Sequence, residues 1–238
     1  MPKLIYVVDD EKNIREIIRS YLEKENYTVK EFASGEEAFE AFNITQPDML
    51  IIDIMMPGMS GFELCNHIRK KSNIPIIIVS ARDAEIDRIL GIEMGADDYM
   101  MKPFSTRELV ARVKAVFRRM DGIVIDKKVE VYPNCRDLRM YPSERRVVKV
   151  NGEDELDINL TTMEYDFILF LVTNKNRVFT RDQLLKNIWD YQYIGDTRAV
   201  DDLVKRIRKK LDMAVMEFQI ETVWGYGYKV TDAYEESI

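Results

Sequence analysis

Residues 4–11 read Leu-Ile-Tyr-Val-Val-Asp-Asp-Glu. Five apolar residues run straight into three carboxylates. An unbroken apolar run of this length suits a strand buried on both faces of a parallel sheet. The acids at its end repel one another: two charges ~4 Å apart at an effective dielectric near 20 cost about 4 kcal/mol. A strand that delivers them together implies something at that end to offset the repulsion.

The same grammar repeats along the first half of the chain. Strand-like runs at Tyr27–Phe32, Met49–Ile54, Ile74–Val79 and Asp98–Met101 alternate with amphipathic helical patterns, such as Ile14, Ile17, Ile18, Tyr21 and Leu22. Capping boxes open two of the helices, at Ser34…Glu37 and Ser105…Glu108. Five βα repeats predict an α/β domain: a doubly wound, five-stranded parallel sheet of flavodoxin-like type over residues 1–120. Ligands of such sheets bind at the carboxyl ends of the strands.

That edge is chemically loaded. The third run ends in Asp53, so neighbouring first and third strands would bring Asp9, Asp10 and Asp53 together. One aspartate after a strand reads as a helix cap. Two from one strand and a third from another favour a divalent cation, and oxygen-only ligands favour Mg²⁺ (or Mn²⁺). The fourth run leads to Ser80 and the fifth to Lys102-Pro103. Acids, a hydroxyl and an ammonium around a metal suit phosphoryl transfer to a carboxylate.

Residues 121–130 read as a linker, and residues 131–238 follow different rules. Short strands surround Pro142-Ser143, Asn151-Gly152 signals a hairpin, and helical patterns follow at about 163–174, 181–189 and 197–211. Thr161…Glu164 and Thr180…Gln183 are capping boxes. Ile220–Val223 and Tyr228–Val230 flank Trp224-Gly225-Tyr226-Gly227 as a terminal hairpin. The expectation is a small α+β winged helix-turn-helix with its helical turn at Gly195.

In the third of these helices Val200, Val204, Ile207 and Leu211 share one face. Arg198, Asp202, Lys205 and Lys209 lie opposite, flanked by Arg206 and Arg208. This positive stripe suits the major groove of DNA. Arg206 and Lys205 are expected near bases, and Arg198, Arg208 and Lys209 near the phosphate backbone. Asp201 and Asp202 would select a base or hold neighbouring cations. The stripe has to be local, because the 238-residue chain carries net charge −7, shared by both halves.

Composition excludes several classes. Cys65 and Cys135 lack metal spacing, and His67 is the single histidine, so a His-rich metal site is ruled out. No run approaches the ~20 apolar residues of a membrane span, and no signal-peptide pattern opens the chain. The expectation is a cytoplasmic protein with no membrane partner.

Taken together, VVDDE, LIIDIMMPGMSG, IIIVSAR, GADDYMMKPF and ELVARVKAVFRR closely resemble the receiver domain of two-component response regulators. LTTMEYDFILFL, RVFTRDQLLKNIW, GDTRAVDDLVKRIRKKL and TVWGYGYKV resemble the DNA-binding domain of the OmpR/PhoB subfamily. The resemblance covers nearly the whole chain, in family order. It implies that Asp53 is the phosphoacceptor and that Asp9, Asp10, Asp53 and the Met55 backbone carbonyl hold Mg²⁺. Lys102 would pair with the phosphoryl group across a cis Lys102-Pro103 peptide. Ser80 would be the switch hydroxyl, where threonine is commoner, and Tyr99 the switch aromatic. The donor would be a phosphohistidine on a sensor histidine kinase.

The resemblance further implies a homodimer on phosphorylation, through the last two receiver helices and the strand between them. Its ion pairs would be Arg88–Glu108, Asp98–Arg112 and Asp97–Arg119, around an apolar patch of Ile89, Ile92 and Val110. The resulting transcription factor would bind double-stranded promoter DNA and act on RNA polymerase, with no enzymatic role beyond its own phosphoryl chemistry. Residues Gly225–Tyr228, with Tyr226, would form the wing. Many relatives carry arginine at the position of Trp224, so this wing would contact DNA differently, or Trp224 would pack beneath it as aromatics in small domains favour. Three other readings fit less well. A phosphohydrolase needs an acid-base partner and a cap, and a flavin binder needs a phosphate-cradling loop after the first strand. A phosphorylation-independent winged-helix factor leaves the acidic edge unexplained.

Overall fold

A computed structural model describes residues 2–81, 95–120, 133–189 and 198–232, the side chains of Arg119 and Trp189 excepted. It divides into two units, Met1–Arg118 and Arg119–Ile238.

The first unit runs β1 (Leu4–Val8), α1 (Lys12–Lys24), β2 (Thr28–Phe32), α2 (Gly35–Ile44), β3 (Met49–Asp53), α3 (Gly61–Arg69), β4 (Ile76–Ser80), β5 (Asp98–Met101) and α4 (Thr106–Met120). The strands form one parallel sheet in the order β2-β1-β3-β4-β5. This is the doubly wound architecture the sequence predicts. Successive strand residues face opposite sides. Tyr6, Val8, Leu50, Ile52, Ile76 and Ile78 pack with Ala38, Phe42, Leu64 and Ile68 on one side. Their neighbours Ile5, Val7, Ile51 and Ile77 are equally buried. The segment expected to carry Arg88, Ile89 and Ile92 lies outside the described residues. So does Gly195.

The second unit opens with an antiparallel sheet, β6 (Asn134–Cys135), β7 (Leu138–Tyr141), β8 (Arg146–Asn151) and β9 (Asp154–Asp157), in that order. Then come α5 (Thr162–Thr173), β10 (Phe179–Thr180), α6 (Arg181–Trp189), α7 (Arg198–Met213), β11 (Glu221–Val223) and β12 (Gly227–Lys229). The last strands form a second sheet, β10-β12-β11.

Reciprocal caps start α5 at Thr161 and Glu164, and α6 at Thr180 and Gln183. A further box, Ser60 with Glu63, starts α3. Strands β6 and β10 are not anticipated from sequence, and β9 is anticipated only through the Asn151-Gly152 hairpin signal. β9 is exposed throughout, so no apolar alternation marks it. β10 is two residues long and is defined by a distant partner, Phe179 against Tyr228.

Three buried groups make the second unit sensitive to alkali. Burial pushes the Cys135 thiol up to about 11, and the Tyr165 and Tyr228 hydroxyls up to about 12. Asp201, which accepts the Tyr228 hydroxyl, adds to the last of these. All three hold protons more tightly folded than unfolded. Stability is therefore intact below their ordinary values of 9.0 and 10.0 and falls as pH climbs toward about 11–12. The loss is on the order of 2 kcal/mol for each group. The urea midpoint of this unit should fall between pH 8.5 and about 11, and two tyrosines should ionise, by absorbance at alkaline pH, only as it unfolds.

Candidate functional site

The sheet order explains the acidic edge. β1 and β3 are neighbours, with Val8 opposite Ile52, so the residues following each strand emerge side by side. Asp9 and Asp53 are buried and Asp10 is exposed, and one carboxylate oxygen from each lies within 4.8 Å of the others. The backbone holds this edge tightly. Arg15 donates to the carbonyls of Asp9 and Asp10 from one turn into α1. Asp53 Oδ1 accepts the Met55 N–H at 3.1 Å. Gly61 N donates to the Ile54 carbonyl, and a Cβ at position 61 would lie 2.1 Å from the Asp53 carbonyl oxygen. Only glycine allows α3 to approach so closely.

Lys102 reaches the same point from β5. Its Nζ lies 2.8 Å from Asp9 Oδ2 and 2.7 Å from Asp53 Oδ2, with Glu11 Oε1 at 3.5 Å. The Lys102-Pro103 peptide is cis, and the Lys102 N–H donates to the Ser80 carbonyl. Burial pulls the Lys102 ammonium down, but its bonds to Asp53 and Asp9 outweigh that and it stands above its usual value. Burial also raises the Asp9 carboxyl, against the opposing bonds from Lys102 and the Glu11 N–H. Glu11 itself is the N-cap residue of α1, with its side chain turned to Lys102 rather than capping. Ser80 ends β4 and Tyr99 lies on β5, both buried.

This donor set fits a hard divalent cation: the oxygens are all carboxylate, close together and partly buried. It could also direct an electrophile at Asp53, whose Oδ2 meets the ammonium that would balance charge on transferred oxygens.

Within one chain, the described residues expected at the dimer face have partners of their own. Asp97 is fully buried, and its carboxylate accepts from Arg69 Nη2 and the Ile76 N–H, both at 2.9 Å. It is not presented outward for Arg119 of a second chain. Sequence spacing could not place Arg69, which also gathers the carbonyls of Gly95 and Ile74. Arg112 binds both oxygens of Asp98 and also Glu108, all within one chain. Val110 shares the inward face of α4 with Leu109 and Val113 and offers little free area.

On α7 the buried face is the one predicted, with Ala199 and Leu203 added. Arg198, Lys205 and Lys209 are exposed and Asp202 is half-buried. Asp201, Lys205, Arg208, Lys209 and Asp212 line an open groove along this helix. Arg206 corrects the base-reading expectation. It turns toward Glu164 at the start of α5, with Nε 3.6 Å from Oε1, while Lys210 Nζ lies 2.7 Å from Oε2. Glu164 is 1% exposed, and a buried carboxylate draws in nearby cations. Arg208 is likewise engaged, donating to the Ile220 carbonyl and Thr222 Oγ1. Asp201 accepts from Arg181 Nε and the Tyr228 hydroxyl.

Packing of Trp224 beneath the wing is also corrected. Trp224 is 90% exposed and Tyr226 67%. The hairpin's inner face is filled by Tyr228, and Gly227 lies against the Phe179 carbonyl, so position 224 is carried out to the tip.

Comparison with known proteins covers both units. Residues 5–114 match the response regulator receiver domain, and residues 154–230 match the C-terminal domain of transcriptional regulatory proteins. The transcriptional regulatory protein SrrA of Staphylococcus aureus is 39% identical over 237 residues, covering 96% of this chain and 95% of its own. A mutant of RitR superimposes with a TM-score of 0.69 at 28% identity, covering 97% of this chain and all of its own. The Thermotoga maritima OmpR/PhoB homologue DrrB, 31% identical over the same shares, gives 0.51.

Proposed function

This chain belongs to the response regulators that join a receiver domain to a C-terminal DNA-binding domain, and on that basis we propose a phosphorylation-switched transcription factor. The observation that carries the proposal is Lys102 Nζ bridging Asp9 and Asp53 beside Asp10.

Asp53 is the phosphoacceptor. Its carboxylate oxygen attacks the phosphorus of a phosphohistidine on a sensor histidine kinase. The P–N bond breaks, and its electron pair stays on the imidazole nitrogen. Asp9, Asp10, Asp53 and the Met55 carbonyl would hold Mg²⁺ or Mn²⁺, which when bound supplies positive charge to the phosphoryl oxygens. Lys102 shifts from the free Asp53 carboxylate to the added phosphoryl oxygens. Ser80 follows as the hydroxyl that those oxygens can draw in, and Tyr99 fills the space behind it.

The domain boundaries are residues 1–120 for the receiver, 121–130 for the linker and 131–238 for the winged helix. Dimerisation uses the face bearing Asp98, Glu108 and Arg112, whose internal pairs must exchange for pairs between chains. DNA is met by Arg198, Lys205 and Lys209, with RNA polymerase as the final partner in the cytoplasm. Among the described residues no helix is long and apolar enough to cross a membrane.

Incubation with Mg²⁺ and acetyl phosphate tests the first step. Intact mass should show one added phosphoryl group, mapped to Asp53, and none when Mg²⁺ is chelated before the phosphodonor is added. A phosphoryl group on another residue, or none, would defeat the reading.

A further inference from the structure

We propose that the wing engages DNA through an aromatic wedge: Trp224, supported by Tyr226, enters the minor groove and unstacks a base step. This rests on the DNA-binding reading of the second unit and adds how the wing takes part.

Three observations converge on it. First, the two most exposed aromatic side chains of this unit among the described residues stand together at one hairpin tip, at 90% and 67%. The tip is formed by Gly225 at φ 78 and by the Tyr226 N–H donating to the Val223 carbonyl.

Second, the hairpin is held rigidly to α7, the helix with the open cationic face. Arg208 of α7 donates to Ile220 and Thr222, and Tyr228 of β12 donates to Asp201 of α7 at 2.6 Å. On the other side, Gly227 pairs with Thr180 and leaves no room for a side chain. A duplex seated on Lys205 and Lys209 therefore meets a tip whose backbone position is already set.

Third, the tip has no cation. Residues 223–227 are Val-Trp-Gly-Tyr-Gly, and the basic residue beyond them, Lys229, lies 3.3 Å from Glu221. An uncharged aromatic tip gains little from phosphates, whereas apolar side chains inserted between base pairs are an established way to kink a duplex from the minor groove. The occupant is thus duplex DNA, chosen by charge complementarity with the adjoining helix, and the step favoured is a flexible pyrimidine–purine step.

Salt dependence separates this from ordinary cationic wing contacts. Neutralising a phosphate-contacting lysine lowers the slope of log K against log salt by about one. Removing an apolar wedge weakens binding and leaves the slope alone. The test uses the full phosphorylated chain and a duplex that it enriches from a randomised pool.

Trp224→Ala should weaken binding roughly tenfold to hundredfold, the range for loss of one base-stacking aromatic, with unchanged slope. Trp224→Phe should keep most of the affinity, and 2-aminopurine at the wedged step should brighten only with an aromatic at 224. Lys205→Ala should lower the slope. Wild-type affinity within about twofold for Trp224→Ala, or a slope that falls with it, would overturn the wedge while leaving DNA binding intact. If no duplex is enriched and Lys205→Ala changes nothing, the DNA-binding reading fails and takes this inference with it. Trp224 is almost wholly exposed, so its substitution does not endanger folding.

Discussion

Lys102→Ala should slow transfer of a phosphoryl group from acetyl phosphate to Asp53 by roughly a hundredfold or more, the usual cost of losing one charge-stabilising group at a reacting centre. The ammonium lies 2.7 Å from Asp53 Oδ2 and 2.8 Å from Asp9 Oδ2, and it is the cation that the described residues bring to both buried acids. Its loss should also remove the group that would follow the phosphoryl oxygens, although the backbone bond from the residue-102 N–H to the Ser80 carbonyl survives in the alanine variant. Whatever protein does become phosphorylated should then gain no DNA affinity. Lys102→Arg should restore little, since a planar fork does not reproduce a compact ammonium between two carboxylates. Single-turnover phosphorylation with a DNA-binding readout separates the two effects. Equal rates for Lys102→Ala and wild type would remove Lys102 from the chemistry.

Glu164→Ala should destabilise the second unit by about 3–5 kcal/mol, the typical cost of breaking a buried charge network from one side. One carboxylate there accepts the Thr161 N–H to cap α5, binds Lys210 Nζ at 2.7 Å and faces Arg206 Nε at 3.6 Å. The substitution takes the carboxylate away from both cations and removes Glu164's half of the capping box, while Thr161 Oγ1 still accepts the residue-164 N–H. Glu164→Gln keeps the cap bond and should cost less. The two urea midpoints, read against wild type, check the order. A Glu164→Ala midpoint within error of wild type would mean that Arg206 and Lys210 find other partners.

These residues also mark what sequence could and could not reveal. Four strands of the first unit were legible because each is a short, mostly apolar run leading to a chemically distinctive residue, whereas β2, Thr-Val-Lys-Glu-Phe, is only weakly marked and the full order β2-β1-β3-β4-β5 is a tertiary result. Asp9, Asp10, Asp53, Ser80 and Lys102 were legible for the same reason: parallel strands must deliver their ends to one edge. Long-range partners were not. Arg206 and Arg208 are two residues apart in one basic stripe, yet one is claimed by Glu164 from α5 and the other by Ile220, just before β11, and Thr222 within it. Helical periodicity assigns a face, but it cannot say which cations a distant acid or carbonyl will capture. Asp97 repeats the point, taken by Arg69 across 28 residues. Trp224 misled in the other direction: large aromatics favour burial, but the close approach of Gly227 to Phe179 decides the height of the hairpin, and that approach is tertiary.

The switch itself is tested by comparing wild type with Asp53→Ala, each with Mg²⁺ and acetyl phosphate, for self-association and for affinity toward an enriched duplex. The expected result is dimer formation and at least a tenfold gain in affinity for wild type alone, and neither when Mg²⁺ is chelated before the phosphodonor is added. If the two proteins associate and bind DNA alike, phosphorylation does not control this protein. It would then be a constitutive winged-helix factor with an acidic site put to some other use.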